Sequence, residues 1–98
     1  GDVYKRQGIR RVCIYGDGYI GKRLAGELKE CNIETAFFID RNAHYLTEEI
    51  PVYRLEEAPK EVDAVIISLV QNYDSVRNEL RTKYKTKIYA IREIIEAI

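Results

Sequence analysis

Apolar residues along this chain come either in unbroken runs or at helical spacing. Val12, Cys13, Ile14 and Tyr15 form the first run, Thr35 to Ile39 the second, and Val62 to Val70 the third, centred on Ala64-Val65-Ile66-Ile67. Lys87 to Ile91 is a last one. Short, β-branched runs of this kind suit strands buried on both faces of a parallel sheet. Between them the spacing changes. Ile20, Leu24 and Leu28 fall at i, i+4, i+8 with Ala25 beside them, which predicts a helix over Tyr19–Glu30 with that stripe on the sheet. Asn32 follows as the left-handed cap. Val76, Leu80 and Tyr84 repeat the spacing and predict a second helix over Tyr73–Tyr84, capped by Asn72 or Asp74. Arg92–Ile98 reads as a last short helix, with Ile91, Ile94, Ile95 and Ile98 on one side. Ile50 to Tyr53 is a very short strand that Pro51 confines to an edge, and Leu55–Ala58 one helical turn stopped by Pro59.

The order β-α-β, β, β-α-β implies an α/β fold. Right-handed crossovers make it a single doubly wound parallel sheet with helices on both faces and expected strand order 3-2-1-4-5. Its switch point lies between the first strand and Ala64–Ile67. Gly16–Gly18 and Ser68–Asn72 then flank one crevice at the carboxyl ends of the strands, where ligands bind in such sheets.

The chemistry concentrates there. Gly16-Asp17-Gly18-Tyr19-Ile20-Gly21 fits G-x-G-x-x-G, with a strand before and a helix after. Gly16 permits a tight turn, Gly18 leaves the backbone open to a pyrophosphate, and Gly21 permits close helix–strand packing. The helix N-terminus offers free N–H groups and a partial positive charge. Tyr19, after the second glycine, covers a ligand or the loop. Asp40 ends the second strand, where a carboxylate accepts hydrogen bonds from ribose hydroxyls and so favours NAD. Arg41 follows and leaves NADP open, through a 2′-phosphate or by stacking on adenine. Ser68, Leu69 and Asn72 complete the candidate cofactor site. Asp17 opposes it: a carboxylate beside a pyrophosphate costs about 1 kcal/mol or more if unscreened, which Lys22 and Arg23 could offset.

Composition narrows the rest. Ninety-eight residues, 46% hydrophobic and 33% charged, make one ordinary domain. Sixteen basic and sixteen acidic residues leave no basic field for a nucleic acid backbone. No apolar run approaches the roughly 20 residues of a membrane span, and without a secretory signal the cytoplasm is the default. Cys13 and Cys31 are too few for a disulfide scaffold and form no C-x-x-C, so both are expected reduced and no metal is expected. His44, the lone histidine, reads as a solvated loop residue. Gly1 to Gln7 resemble an adapter-derived leader of reading frames assembled from environmental (metagenomic) DNA. That would make 1–7 a non-native leader, 8–98 the domain, and the gene a possible fragment.

The runs IYGDGYIGKRLAGEL, FFIDRN, IPVYRLEEAP and DAVIISL, spanning nearly all of Arg10–Ile95, resemble a Rossmann-type domain. It stands at the N-terminus of bacterial nucleotide-sugar dehydratases, epimerases and sugar O-acyltransferases, and in polysaccharide biosynthesis proteins. The resemblance implies an NAD(P)- or CoA-binding-like module, with the phosphate loop at Gly16, Gly18 and Gly21 and the ribose residue at Asp40. Asp17 departs from that pattern, in which a small residue is common. The catalytic domain such proteins carry would lie after Ile98.

Two functions therefore stand. One is a nucleotide or nucleotide-sugar binding module of a larger sugar-modifying enzyme. The other is a ligand-free interaction or oligomerisation module, with the Val52 edge or the apolar side of Arg92–Ile98 buried against a second copy, as in a homodimer, or a partner. Catalysis by this chain alone is not expected, because hydride transfer needs a second-substrate site and a positioned acid or base. Tyr73 reads as packing, and Ser68 lacks a G-x-S-x-G elbow. A full NAD-dependent oxidoreductase requires a longer chain.

Overall fold

Alternate side chains of each unbroken run turn to opposite faces, and both faces are covered. The computed structural model describes residues 8–42 and 49–97, with side chains as far as Ile94. His44, the leader at 1–7 and the side chains of Ile95 and Ile98 lie outside the described residues. Five strands, β1 (Arg11–Tyr15), β2 (Glu34–Ile39), β3 (Val52–Tyr53), β4 (Ala64–Ile67) and β5 (Lys87–Ala90), form one parallel sheet in the order β3-β2-β1-β4-β5. Helix α1 (Tyr19–Glu30) links β1 to β2. Helix α2 (Tyr73–Arg81) links β4 to β5, and α3 (Ile91–Ala97) follows β5. A 3₁₀ turn spans Leu55–Glu57. This is the doubly wound, Rossmann-like arrangement expected from the element order.

Val12, Ile14, Phe38, Ala64 and Ile66 pack under α1 and α3, against Leu24, Leu28 and Ile94. Cys13, Tyr15, Phe37, Val65 and Ile67 pack on the other face, against Val76 and Leu80 of α2 and Tyr84. At the amino end of the sheet, one oxygen of Asp63 accepts the backbone N–H of both Arg10 and Arg11, each at 2.9 Å.

Four details differ from the sequence reading. Ile20 is 53% exposed. The buried stripe of α1 is Gly21, Leu24, Ala25 and Leu28, because Gly21, one residue on, is the side of the first turn pressed to the sheet. Helix α2 stops at Arg81, three residues early, where Thr82 Oγ1 donates to the Glu79 carbonyl at 2.7 Å. Arg81 Nη1 donates to the Thr86 carbonyl at 2.8 Å. Tyr84 nevertheless stays buried and donates its hydroxyl to the Pro59 carbonyl. Asn72 does stand at the N-cap of α2, but left-handed (φ 58°) and with no side-chain cap bond. Helix α3 begins at Ile91, because Glu93 Oε2 accepts the Ala90 N–H at 2.7 Å, half of a capping box. Asn32 is left-handed (φ 61°), as its place after α1 requires.

Both cysteines are free thiols, and Cys13 is fully buried. Burial pushes its pKa from 9.0 to about 12, against smaller opposing effects of its own backbone, the Tyr84 hydroxyl and Lys83. Burial, with the Cys13 thiol, raises Tyr84 as well. Among the described residues no helix is long and apolar enough to cross a membrane.

Leu24→Ala should cost about 3 kcal/mol in urea unfolding. Ile20→Ala should cost about 0.5 kcal/mol or less; equal losses would restore the original stripe. A second expectation concerns pH. The folded Cys13 thiol ionises later than the unfolded one, so its contribution is intact below pH 9 and lost as pH rises toward about 12. The alkaline fall in stability should be shallower in Cys13→Ala.

Candidate functional site

The chain leaves β1 in a turn that only glycine can make at its first position. Gly16 sits at φ 106°, and its N–H continues the sheet by donating to the Ile39 carbonyl at 2.8 Å. A Cβ there would run into the Ser68 hydroxyl. A Cβ on Gly21 would run into the carbonyl of Gly16, so the first turn of α1 rests directly on the glycine turn. Gly18 is different. Its backbone is extended (φ −77°, ψ −169°), and a Cβ would meet nothing within 4 Å. Gly18 is also the N-cap of α1, with no side-chain cap bond and no acidic residue in the first turn. The leading N–H groups of a helix lack intrahelical partners, and α1 starts at the open space over Gly18, where its dipole is positive.

Around this opening the predicted residues take unlike positions. Ser68 is buried; its hydroxyl donates to the carbonyl of Tyr15 at 2.8 Å and of Gly16 at 3.4 Å. It builds the floor of the crevice rather than its mouth. Leu69 lies against the glycine turn, 3.4 Å from where a Gly16 Cβ would be. Tyr19 and Ile20 at the start of α1, and Leu69 and Val70 in the segment leaving β4, are large apolar side chains left exposed. The Tyr19 hydroxyl accepts from Arg23 Nη1 at 3.3 Å. Asn72 is exposed at the start of α2. Tyr73 packs on the α2-side core, as a structural residue would.

Asp40 stands at the carboxyl end of β2, and its carboxylate already holds two backbone donors. Oδ2 accepts the Asp17 N–H and Oδ1 the Asn42 N–H, both at 2.9 Å. It thus ties the glycine turn to the segment leaving β2. Asp17 is half-buried with Oδ1 shielded from solvent, so at least that oxygen is turned away from the space over Gly18.

Arg41 reaches away from the turn. Its Nη2 lies 3.1 Å from Glu79 Oε2 on α2. Glu79 first, then the Tyr15 hydroxyl, hold the guanidinium above its ordinary pKa. The side chains are 69% and 46% exposed, and such a pair is worth about 0–1 kcal/mol. It fixes where Arg41 points more than it stabilises the fold. Beneath it is a cavity of about 220 Å³ lined by Tyr15, Ile39, Leu55, Arg54 and Glu56, besides the pair itself. Arg54 and Glu79 were not legible as site residues, since each is brought there by the fold. The parallel pairing Ile39–Tyr53 would have given Arg54, as the neighbour of Asp40. A wider cavity of about 650 Å³ lies apart from the crevice, between α1 and β2. Among the described residues no three His, Cys, Asp or Glu side chains gather to hold a metal ion.

Gly21→Ala should cost about 2 kcal/mol or more, because a backbone carbonyl must move. Gly18→Val should cost about 1 kcal/mol or less, since only the cap preference for glycine over a β-branched residue is lost. Equal thermal shifts would mean that the glycine turn is not seated as described.

No protein-family model matches the chain, and no curated protein or solved structure is significantly similar to it.

Proposed function

We propose that the chain is a nucleotide-binding module of the NAD(P) type, serving a larger nucleotide-sugar or polysaccharide-modifying enzyme. The observation that carries this reading is the contrast among the three glycines. Gly16 and Gly21 are fixed by backbone strain and contact, whereas Gly18 has no packing reason to lack a side chain. A bare backbone facing open space at an uncapped helix start is what a diphosphate needs. Asp40 beside it would take the ribose with its remaining lone pairs. Tyr19 and Leu69, exposed beside the glycine turn, would cover the ligand's uncharged parts. The module binds and orients; none of the described side chains around the crevice forms a nucleophile–base pair, so chemistry would come from elsewhere in the assembly.

The exposure of Tyr19, Ile20, Leu69 and Val70 also favours a second reading, in which these side chains meet a protein partner or a second copy and no ligand.

Titration calorimetry against NAD, NADP, CoA and a UDP-sugar separates the two. Micromolar binding that Gly18→Val abolishes, in a variant that stays folded, supports the first. Asp17→Ala should tighten that binding by removing a like charge. No heat from any nucleotide, together with dimerisation lost in Val70→Ser, supports the second.

A further inference from the structure

We propose that Glu79 is a specificity-determining residue that makes this site select nucleotides whose adenosine 2′ and 3′ hydroxyls are free, and reject those phosphorylated at either. The inference rests on the nucleotide-binding reading and narrows it to one ligand class.

The argument is one of charge and reach. A ribose placed at Asp40 has two cations near it in the fold. Arg41 is the next residue, and Arg54 follows Tyr53, whose carbonyl accepts the Asp40 N–H at 2.9 Å. Either guanidinium could in principle hold a ribose phosphate. Neither stands in a positive field. Arg41 is held on Glu79 at 3.1 Å and shares one cavity with Arg54, Glu56 and Glu79. Asp40 adds a third carboxylate at the ribose itself. With Lys83, whose ammonium donates to the Leu55 carbonyl at 2.7 Å, three carboxylates face three cations and leave no surplus positive charge for a dianion. To capture one, Arg41 would have to exchange Glu79 for the phosphate while Asp40 and Glu56 repelled it. A free ribose hydroxyl meets no such cost. It donates to Asp40, and Arg41 stays where Glu79 holds it. Glu79 touches no ligand in this scheme; it acts by positioning Arg41.

The test is calorimetry with NAD, NADP and CoA, whose adenosine ribose carries neither a 2′- nor a 3′-phosphate, a 2′-phosphate and a 3′-phosphate respectively. The wild-type chain should bind NAD at least about tenfold more tightly than either of the others. Glu79→Gln removes the anion and keeps the shape of an exposed helix residue. It should narrow the gap between NAD and NADP at least about threefold, and adding Arg41→Ala should restore the gap. A change in that ratio is something mere loss of stability does not produce. Wild-type binding of NADP or CoA as tight as that of NAD overturns the proposal, as does a Glu79→Gln variant that shifts both nucleotides by the same factor. Absence of binding by all three overturns the nucleotide-binding reading itself, and this inference with it.

Discussion

The close seat of α1 on the carbonyl of Gly16 is the constraint on which the upper half of the molecule depends. With no side chain at Gly21, the helix starts immediately above the end of β1. Leu24 and Leu28 then reach Ile14 and Phe38 below. Any side chain at that contact would lift the helix from the sheet and weaken apolar contacts along three turns. The same seat points the helix start at the space over Gly18. Packing and site geometry are therefore one arrangement, and a substitution that loosens one loosens the other.

Two layers of side chains radiate from this point. The central strands β1 and β4 have every residue from Val12 to Tyr15 and from Ala64 to Ile67 nearly excluded from solvent. That explains why they carry no alternation in the sequence: both faces are interior. The edges are treated differently. β3 is two residues long, stands after Pro51 and ends the sheet on one side. A short edge beside a proline offers little template for pairing with another chain.

The sheet was legible because burial on two faces leaves a compositional mark, and the glycine turn because Gly16 and Gly21 each answer a local steric demand. What was not legible came from distance or from competition. Ile20 satisfied the helical spacing, yet its neighbour Gly21 took the buried position. Tyr84 kept its place in the core although the helix ended before it, since burial does not require helical backbone. Asn72 looked like an ordinary cap and proved to be a left-handed turn residue. Arg41 looked free to meet a ligand because its partner Glu79 is 38 residues away. Local patterns carry local geometry; an ion pair between β2's end and α2 exists only once the chain has folded.

The two backbone bonds of Asp40 have a further consequence for timing. The carboxylate ties Asp17 of the glycine turn and Asn42 of the next segment to the end of β2. The turn is thereby ordered when the chain folds. If the turn binds a nucleotide as proposed, the ligand would find it already shaped, so little conformational entropy would be lost at the encounter. Association would then be governed by diffusion and by the charges around the mouth, not by waiting for a loop to close.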